Sequence, residues 1–205
     1  CGSATVSLTE WTTPGNAMGN YVITRAFTAT DDCGNFTTGT QTITIIDTTA
    51  PVLSIPADYS MECGETMVLA DASATDNCGD VSVIVTTSTT VGDCPGNYDL
   101  HRTFTATDDA GNMTSETQTI TVVDTTAPVL TIPADYTAEC SDAHPMAAAS
   151  ATDNCGEVTI DVVETTLAGA CAGDYTITRA FTATDDCGNA TSATQTIMII
   201  DTTAP

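Results

Sequence analysis

Apolar and polar residues alternate with period two along the whole chain. Over 98–107, Tyr98, Leu100, Phe104 and Ala106 fall on one face and Asp99, His101, Thr103 and Thr105 on the other. That is the signature of a strand with one buried side. Tyr21, Ile23 and Phe27 repeat it, as do Tyr175, Ile177 and Phe181. The strand that follows sets Ile43 and Ile45, Ile120 and Val122, or Ile197 and Ile199 against threonines. An upstream strand carries Ala4, Val6 and Leu8, Val81, Val83 and Val85, or Val158, Ile160 and Val162, which predicts an inner face there too. Before it lie a run broken by Pro56 (Val52 to Ile55, then Tyr59 to Glu62) and a weaker strand around Met67 to Ala72. Pro56 and its equivalent Pro133 fit an edge strand that changes sheets. Five or six short strands with Gly, Asn and Asp turns predict an all-β fold built of β-sandwiches.

The pattern is periodic at a larger scale. Phe-Thr-Ala-Thr-Asp-Asp begins at Phe27, Phe104 and Phe181, and Asp-Thr-Thr-Ala-Pro at Asp47, Asp124 and Asp201, always 77 residues apart. Self-similarity at a fixed period marks a tandem array. Residues 47–123 and 124–200 are complete repeats, 1–46 is a partial repeat lacking its first strands, and 201–205 begins the next. The stretch thus reads as an interior piece. Five strands running alternately up and down bring the chain in at a leading pole and out at a trailing pole. Repeats then follow end to end, each advancing by about 40 Å for strands of about ten residues.

Charge narrows the partners. The chain has three arginines, no lysine and 27 acids, for a formal net charge of −24. Such a surface excludes nucleic acid, which needs a basic footprint. No apolar run is long enough to insert in a membrane.

Nine cysteines without a Cys-x-x-Cys pair point to disulfides in an oxidising compartment rather than to zinc. They occupy four slots of the repeat: Cys63 and Cys140; Cys1, Cys78 and Cys155; Cys94 and Cys171; Cys33 and Cys187. Ala17 replaces the third slot in the first repeat, and Ala110 the fourth in the second. Within a repeat, third cannot join fourth, because a strand of about 30 Å separates them and a disulfide needs Cα atoms within about 7 Å. First and third share the trailing pole, second and fourth the leading pole. The expected bridges are therefore Cys63 with Cys94, Cys140 with Cys171, Cys1 with Cys33 and Cys155 with Cys187, leaving Cys78 over.

Carboxylates also recur in phase. Asp108 and Asp109, and Asp185 and Asp186, sit in a leading-pole loop beside Asp76, Asp153 and Asn154, while Asp47 and Asp124 close the preceding trailing strand. Clusters of three to five such oxygens suit a hard cation, and Ca2+ is the candidate. The other reading is hairpin chemistry, in which Asp caps backbone amides and Gly or Asn accepts positive φ. Arg25, Arg102 and Arg179 share a face with Tyr and Phe, which predicts architectural arginines paired with carboxylates or carbonyls and stacked on an aromatic ring. The sequons at Asn35, Asn112 and Asn189 overlap turns that account for them. No nucleophile, base and orienter recur together, so the sequence does not read as an enzyme.

The run Tyr175 to Asn189, followed by Thr-Gln-Thr-Ile and Asp-Thr-Thr-Ala-Pro, resembles the hyalin-repeat-like, immunoglobulin-like modules of giant bacterial surface adhesins. The resemblance implies type IX secretion, extracellular display at the cell surface, and attachment, gliding or prey capture. It also implies O-glycosylation at Thr48, Thr125 and Thr202. The partners it implies are neighbouring repeats, identical chains in a filament, and a surface ligand held by a distal tip. A shaft is expected rather than repeats that themselves bind a polysaccharide, because the recurring Tyr and Phe face inward.

Overall fold

The computed structural model describes residues 2–203, and among them there is no helix. The first strands are β1 (Ala4–Pro14), β2 (Tyr21–Asp31) and β3 (Phe36–Ile45); then come β4 (Val52–Ser54), β5 (Tyr59–Glu62), β6 (Ser73–Thr75), β7 (Val81–Val91), β8 (Tyr98–Asp108) and β9 (Met113–Val123). The next set repeats these lengths: β10 (Val129–Thr131), β11 (Tyr136–Glu139), β12 (Ser150–Thr152), β13 (Val158–Ala168), β14 (Tyr175–Asp185) and β15 (Ala190–Ile200). The all-β class is as the alternation predicts. Among the described residues no helix is present that could cross a membrane.

The chain forms two compact units, one of Cys1–Ala57, Leu69–Thr87 and Arg102–Gln118, the other of Asp58–Val68, Ser88–His101 and Thr119–Pro205. In the second, the sheet order is β11-β15-β14-β13, with β11 parallel to β15 and the other neighbours antiparallel. The short strands β10 and β12 pair apart from it. Pro133, between β10 and β11, lies where the chain leaves one sheet for the other, because a residue without an N–H cannot continue a ladder. Ile177, Ile197 and Ile199 make the core here, with Tyr136, Ala138 and Tyr175 against them. In the first unit, Leu53 of β4 packs against Phe104 and Ala106 of β8, joined by Ala74 of β6 and Val81 of β7, so two sheets face each other as a sandwich. The same unit holds the sheet β1-β2-β3. There Phe27 is 38% exposed, whereas its equivalents Phe104 and Phe181 are each 2% exposed.

Two expectations are corrected. The strand around Met67 to Ala72 does not form. Its backbone is held by side chains instead, with the Tyr59 hydroxyl donating to the Val68 carbonyl at 2.9 Å and accepting from the Val68 amide at 3.2 Å. The strand pairing with β4 is β6, just downstream. The upstream strand also lacks a buried inner face, since Val6, Leu8, Val83, Val85 and Val162 are exposed. Its instance β13 is an edge strand, and the other sheet of its repeat has three-residue strands too short to cover it.

The arginines behave as predicted. Arg102 is buried and donates to the Ala70 carbonyl at 2.8 Å and to Gln118 Oε1 at 3.0 Å, with its guanidinium 4.9 Å from the Phe104 ring centroid. Gln118 in turn donates to the Ala57 carbonyl at 2.7 Å. Arg179, Ala147, Gln195, Ala134 and Phe181 reproduce this network. Arg179 adds an ion pair to Glu164, and Arg25 one to the exposed Glu10. Thr87 takes that place opposite Arg102, so its charge rests on carbonyls and an aromatic face alone. Arg102→Leu strands Gln118 and the Ala70 carbonyl without a donor, and should lower stability by about 2–4 kcal/mol. Arg25→Leu, an exposed pair, should cost less than about 1 kcal/mol. Denaturant unfolding of the two variants side by side checks this, and equal losses would contradict it.

Candidate metal centre

Each acidic loop forms from local turn chemistry. In the second repeat, Asp108 Oδ1 accepts from the Asn112 amide at 2.8 Å and Oδ2 from the Asn112 side chain at 2.9 Å, while Gly111 turns the chain at φ 91°. Asp185 is held alike by Asn189 and by the Cys187 amide. The hairpin reading thus accounts for the first aspartate of each Asp-Asp pair. The second turns elsewhere. Asp109 accepts from the Asp80 amide and Asp186 from the Glu157 amide.

Turn chemistry does not account for what converges on Asp108 and Asp185. Asp47, Asp76 and Asp108 each bring an oxygen within 4.8 Å of the others, and Asp124, Asp153 and Asp185 do the same. Asp47 Oδ1 accepts from the Thr49 amide and Asp76 Oδ2 from the Cys78 amide. Their remaining oxygens, Asp47 Oδ2 and Asp76 Oδ1, are buried with no donor. Asp124 Oδ2 and Asp153 Oδ2 are stranded likewise, their other oxygens taking the Thr126 and Cys155 amides. Two partnerless anionic oxygens per cluster are what a bound cation would satisfy. The donor set, all carboxylate, is that of a hard divalent ion.

The electrostatics fit. Burial, and next the charges of Asp153, Asp185 and Glu62, push the Asp124 carboxyl above its ordinary value. Burial also opposes ionisation of Asp185, yet the Asn189 side chain and the amides of Asn189, Cys187 and Gly188 outweigh it and hold that carboxyl low. Asp108 is depressed in the same way through Asn112.

The frame around each cluster is built from side chains the sequence reading passed over. Asn20 Oδ1 accepts from the Asp47 amide at 2.6 Å, and Asn97 Oδ1 from the Asp124 amide at 2.7 Å. The turn asparagines reach back as well, Asn112 donating to the Asp47 carbonyl at 3.3 Å and Asn189 to the Asp124 carbonyl at 3.2 Å. With those amides occupied, the sequons serve the turn. The signal for the other two was the fixed phase of Asn20 and Asn97, three residues past the third cysteine slot. Glu62 clamps the linker by accepting from the amides and hydroxyls of Thr125 and Thr126. The Thr125 amide, then the Thr126 hydroxyl, lower its carboxyl pKa. Thr48, Thr125 and Thr202 are all exposed. Of the proposed ligands, Asp109, Asp186 and Asn154 lie outside the two clusters. Asn154 donates to the Cys63 carbonyl at 2.9 Å.

The disulfides flank the second cluster and correct the expected pairing. Cys63 bonds Cys155, and Cys94 bonds Cys187. Neither Cys63–Cys94 nor Cys155–Cys187 forms, and Cys140 and Cys171 are free. The proposed bridge of Cys33 involved Cys1, which lies outside the described residues. The assignment of slots to poles was sound, but each pole bonds the opposite pole of the next repeat rather than itself. Pairing inside one repeat was the error. Beyond the bridges, Glu139, Cys140 and Asp201 gather in a third group. Burial first, then Asp201 and Glu139, raise the Cys140 thiol pKa.

No family model matches the chain. It is 34% identical over 211 residues to hyalin of Lytechinus variegatus, an alignment covering 92% of this chain and 38% of that protein. With hyalin of Strongylocentrotus purpuratus the identity is 32% over 203 residues, covering 90% and 16%. The chain therefore spans less than two fifths of either relative. Among solved structures it is similar to a protocadherin gammaB7 EC3-6 cis-dimer, at 14% identity and TM-score 0.37 over 96% of this chain and 68% of that one. Drosophila N-cadherin EC1-4 aligns at 16% identity and TM-score 0.34, over 90% and 58%. Likenesses this loose assign no property to the chain.

Two outcomes follow. Peptide mapping without reduction should recover Cys63 crosslinked to Cys155 and Cys94 to Cys187, and a Cys63–Cys94 peptide would restore the within-repeat scheme. The second concerns pH in chelator. Because the folded Asp124 carboxyl titrates above its unfolded value, folding takes up a proton there, and its contribution to stability falls as pH rises. Asp185 and Asp108 run the other way, losing theirs as pH drops through their lowered values. The melting temperature of Asp124→Asn relative to wild type should therefore rise between about pH 4 and pH 7. A difference that stays flat would remove the repulsion argument.

Proposed function

We propose that the chain is a segment of an extracellular, hyalin-repeat-like array: a structural shaft of an adhesive surface protein whose successive repeats are joined by Ca2+ and disulfides. The observation carrying this reading is the pair of three-carboxylate clusters 77 residues apart, each with two buried oxygens that no protein group satisfies. Asp47, Asp76 and Asp108 would hold one ion and Asp124, Asp153 and Asp185 the other. Water would complete the six to eight oxygens that Ca2+ takes.

Bridged cysteines support an oxidising, extracellular setting, and the similarity to hyalin supports the repeat type. The motif over Tyr175 to Asn189 supports display at a bacterial surface through type IX secretion, with a distal tip as the adhesive element and O-glycans at the exposed Thr48, Thr125 and Thr202. A polysaccharide platform along the repeats has less behind it. The exposed Trp11 and Phe36 do not recur, their equivalents being Ser88 and Thr165, and Met113 and Ala190.

Calcium titration of the 205-residue chain, at matched ionic strength, tests the reading. At about 100 times Kd, a site absent from the unfolded chain adds about 2.7 kcal/mol, which a melting curve resolves. Asp124→Asn and Asp153→Asn should weaken that gain, and Asp109→Asn should not. Melting that ignores both calcium and chelator would return the clusters to plain turns and linkers.

A further inference from the structure

We propose that the two bridges express a rule of the repeat: first-slot and third-slot cysteines bond the second-slot and fourth-slot cysteines of the next repeat, so that Cys140 and Cys171 form an acceptor face for a further repeat of the same kind in the same polypeptide. This goes beyond the calcium reading and rests only on the phase of the repeats.

The alanines are the first support. By the rule, Ala17 and Ala110 are partners, since they stand in the phase of the bonded Cys94 and Cys187. The cysteine is absent from both positions together, which a pairing inside each repeat does not explain. The frame around them is kept. The bonds of Asn20 and Asn112 to Asp47 match those of Asn97 and Asn189 to Asp124 within 0.1 Å, at 2.6 against 2.7 Å and 3.3 against 3.2 Å. The rule also leaves no cysteine misplaced. The partner of Cys78 belongs to the first slot of the first repeat, in a phase that precedes residue 1.

The geometry beyond Ile200 is the second support. The Cys140 amide donates to the Ile200 carbonyl at 2.9 Å, as the Cys63 amide does to that of Val123 at 2.8 Å. Asp174 Oδ1 accepts from the Asp201 amide at 2.9 Å, in the manner of Asn97 with Asp124. Glu139 takes the Thr202 amide and hydroxyl as Glu62 takes those of Thr125. The face around Cys140 is thus built like the one that bonds Cys155, with Cys140 and Cys171 exposed. Its occupant presents cysteines in the phase of Cys155 and Cys187, and an asparagine in the phase of Asn154 to donate to the Cys140 carbonyl.

Each bridge is a two-electron oxidation. Two thiols release two protons and two electrons to an external disulfide, which is reduced to two thiols as the S–S bond forms. Oxidised glutathione serves as that oxidant in the test.

The experiment has two arms, both read by peptide mapping without reduction, with and without chelator. In the 205-residue chain, Ala17→Cys with Ala110→Cys should yield a 17–110 crosslink, and each single variant a free thiol. In a chain extended by a second copy of residues 124–200 after Ile200, Cys140 and Cys171 should lose alkylation and appear crosslinked to the added copies of Cys155 and Cys187. A Cys140–Cys171 peptide, free thiols at both in the extended chain, disulfide-linked dimers through them, or no 17–110 crosslink would overturn the rule. The resident Cys63–Cys155 peptide serves as the folding control. Crosslinks that form equally in chelator uphold the rule even where calcium binding fails.

Discussion

Three carboxylates around one buried point are the constraint on which the rest depends. Like charges at about 4 Å repel by about 4 kcal/mol per pair at an effective dielectric near 20, and burial adds to the cost of ionising Asp124. Turn geometry holds Asp185 ionised by supplying it with amides. The cluster therefore cannot relax by turning its members outward, because each has one oxygen committed to a backbone donor. What remains is to protonate Asp124 or to bind a cation. The first weakens as pH rises, so at neutral pH the second is favoured.

The same frame that confines the acids also sets the distance between cysteines. Gly96 shows how tight it is. A Cβ there would lie 3.1 Å from the Asp124 Cβ and 3.4 Å from the Cys155 Cβ, so linker, third-slot loop and second-slot loop meet at a position only glycine fills without displacement. Asn97 follows directly and orders the Asp124 amide. One short turn thus places an acid and brings the loop of Cys94 beside Cys155. Acid cluster and bridge are two readings of one local structure rather than separate features.

Much of this was legible in the sequence, and the failures share a cause. Period-two alternation located β8, β9, β14 and β15 and the inward Arg102, because each of those signals lies within one strand. Phase arithmetic alone was enough to group Asp47 with Asp76 and Asp108, since the acids of linker and loops recur at one interval. The exposure of β7 and β13 was not legible, because Val83 or Val162 is written the same way whether or not a facing strand is long enough to cover it. Nor was the role of Asp109 and Asp186, since both aspartates of a pair look equally suited to a cation until the Asp80 and Glu157 amides claim the second. The disulfides failed at the same level. The poles were right, and the neighbour was not considered.

The neighbour also changes what the loss of a bridge at Ala17 and Ala110 means. A covalent link between consecutive repeats resists separation at any calcium concentration, whereas a carboxylate cluster resists only while its ion is bound. Where Cys94 and Cys187 bond, the cluster of Asp124 works beside bridges that hold its oxygens near one another in advance. Around Asp47 the third-to-fourth bridge is absent and the acids are retained, so more of the ordering there falls to the ion and to Asn20 and Asn112. Chelation then acts unevenly along one chain, loosening the alanine-bearing cluster first and leaving the bridged one in register. An array that exchanges cysteine pairs for alanine pairs at chosen repeats would acquire calcium-dependent joints without any change in its acidic loops.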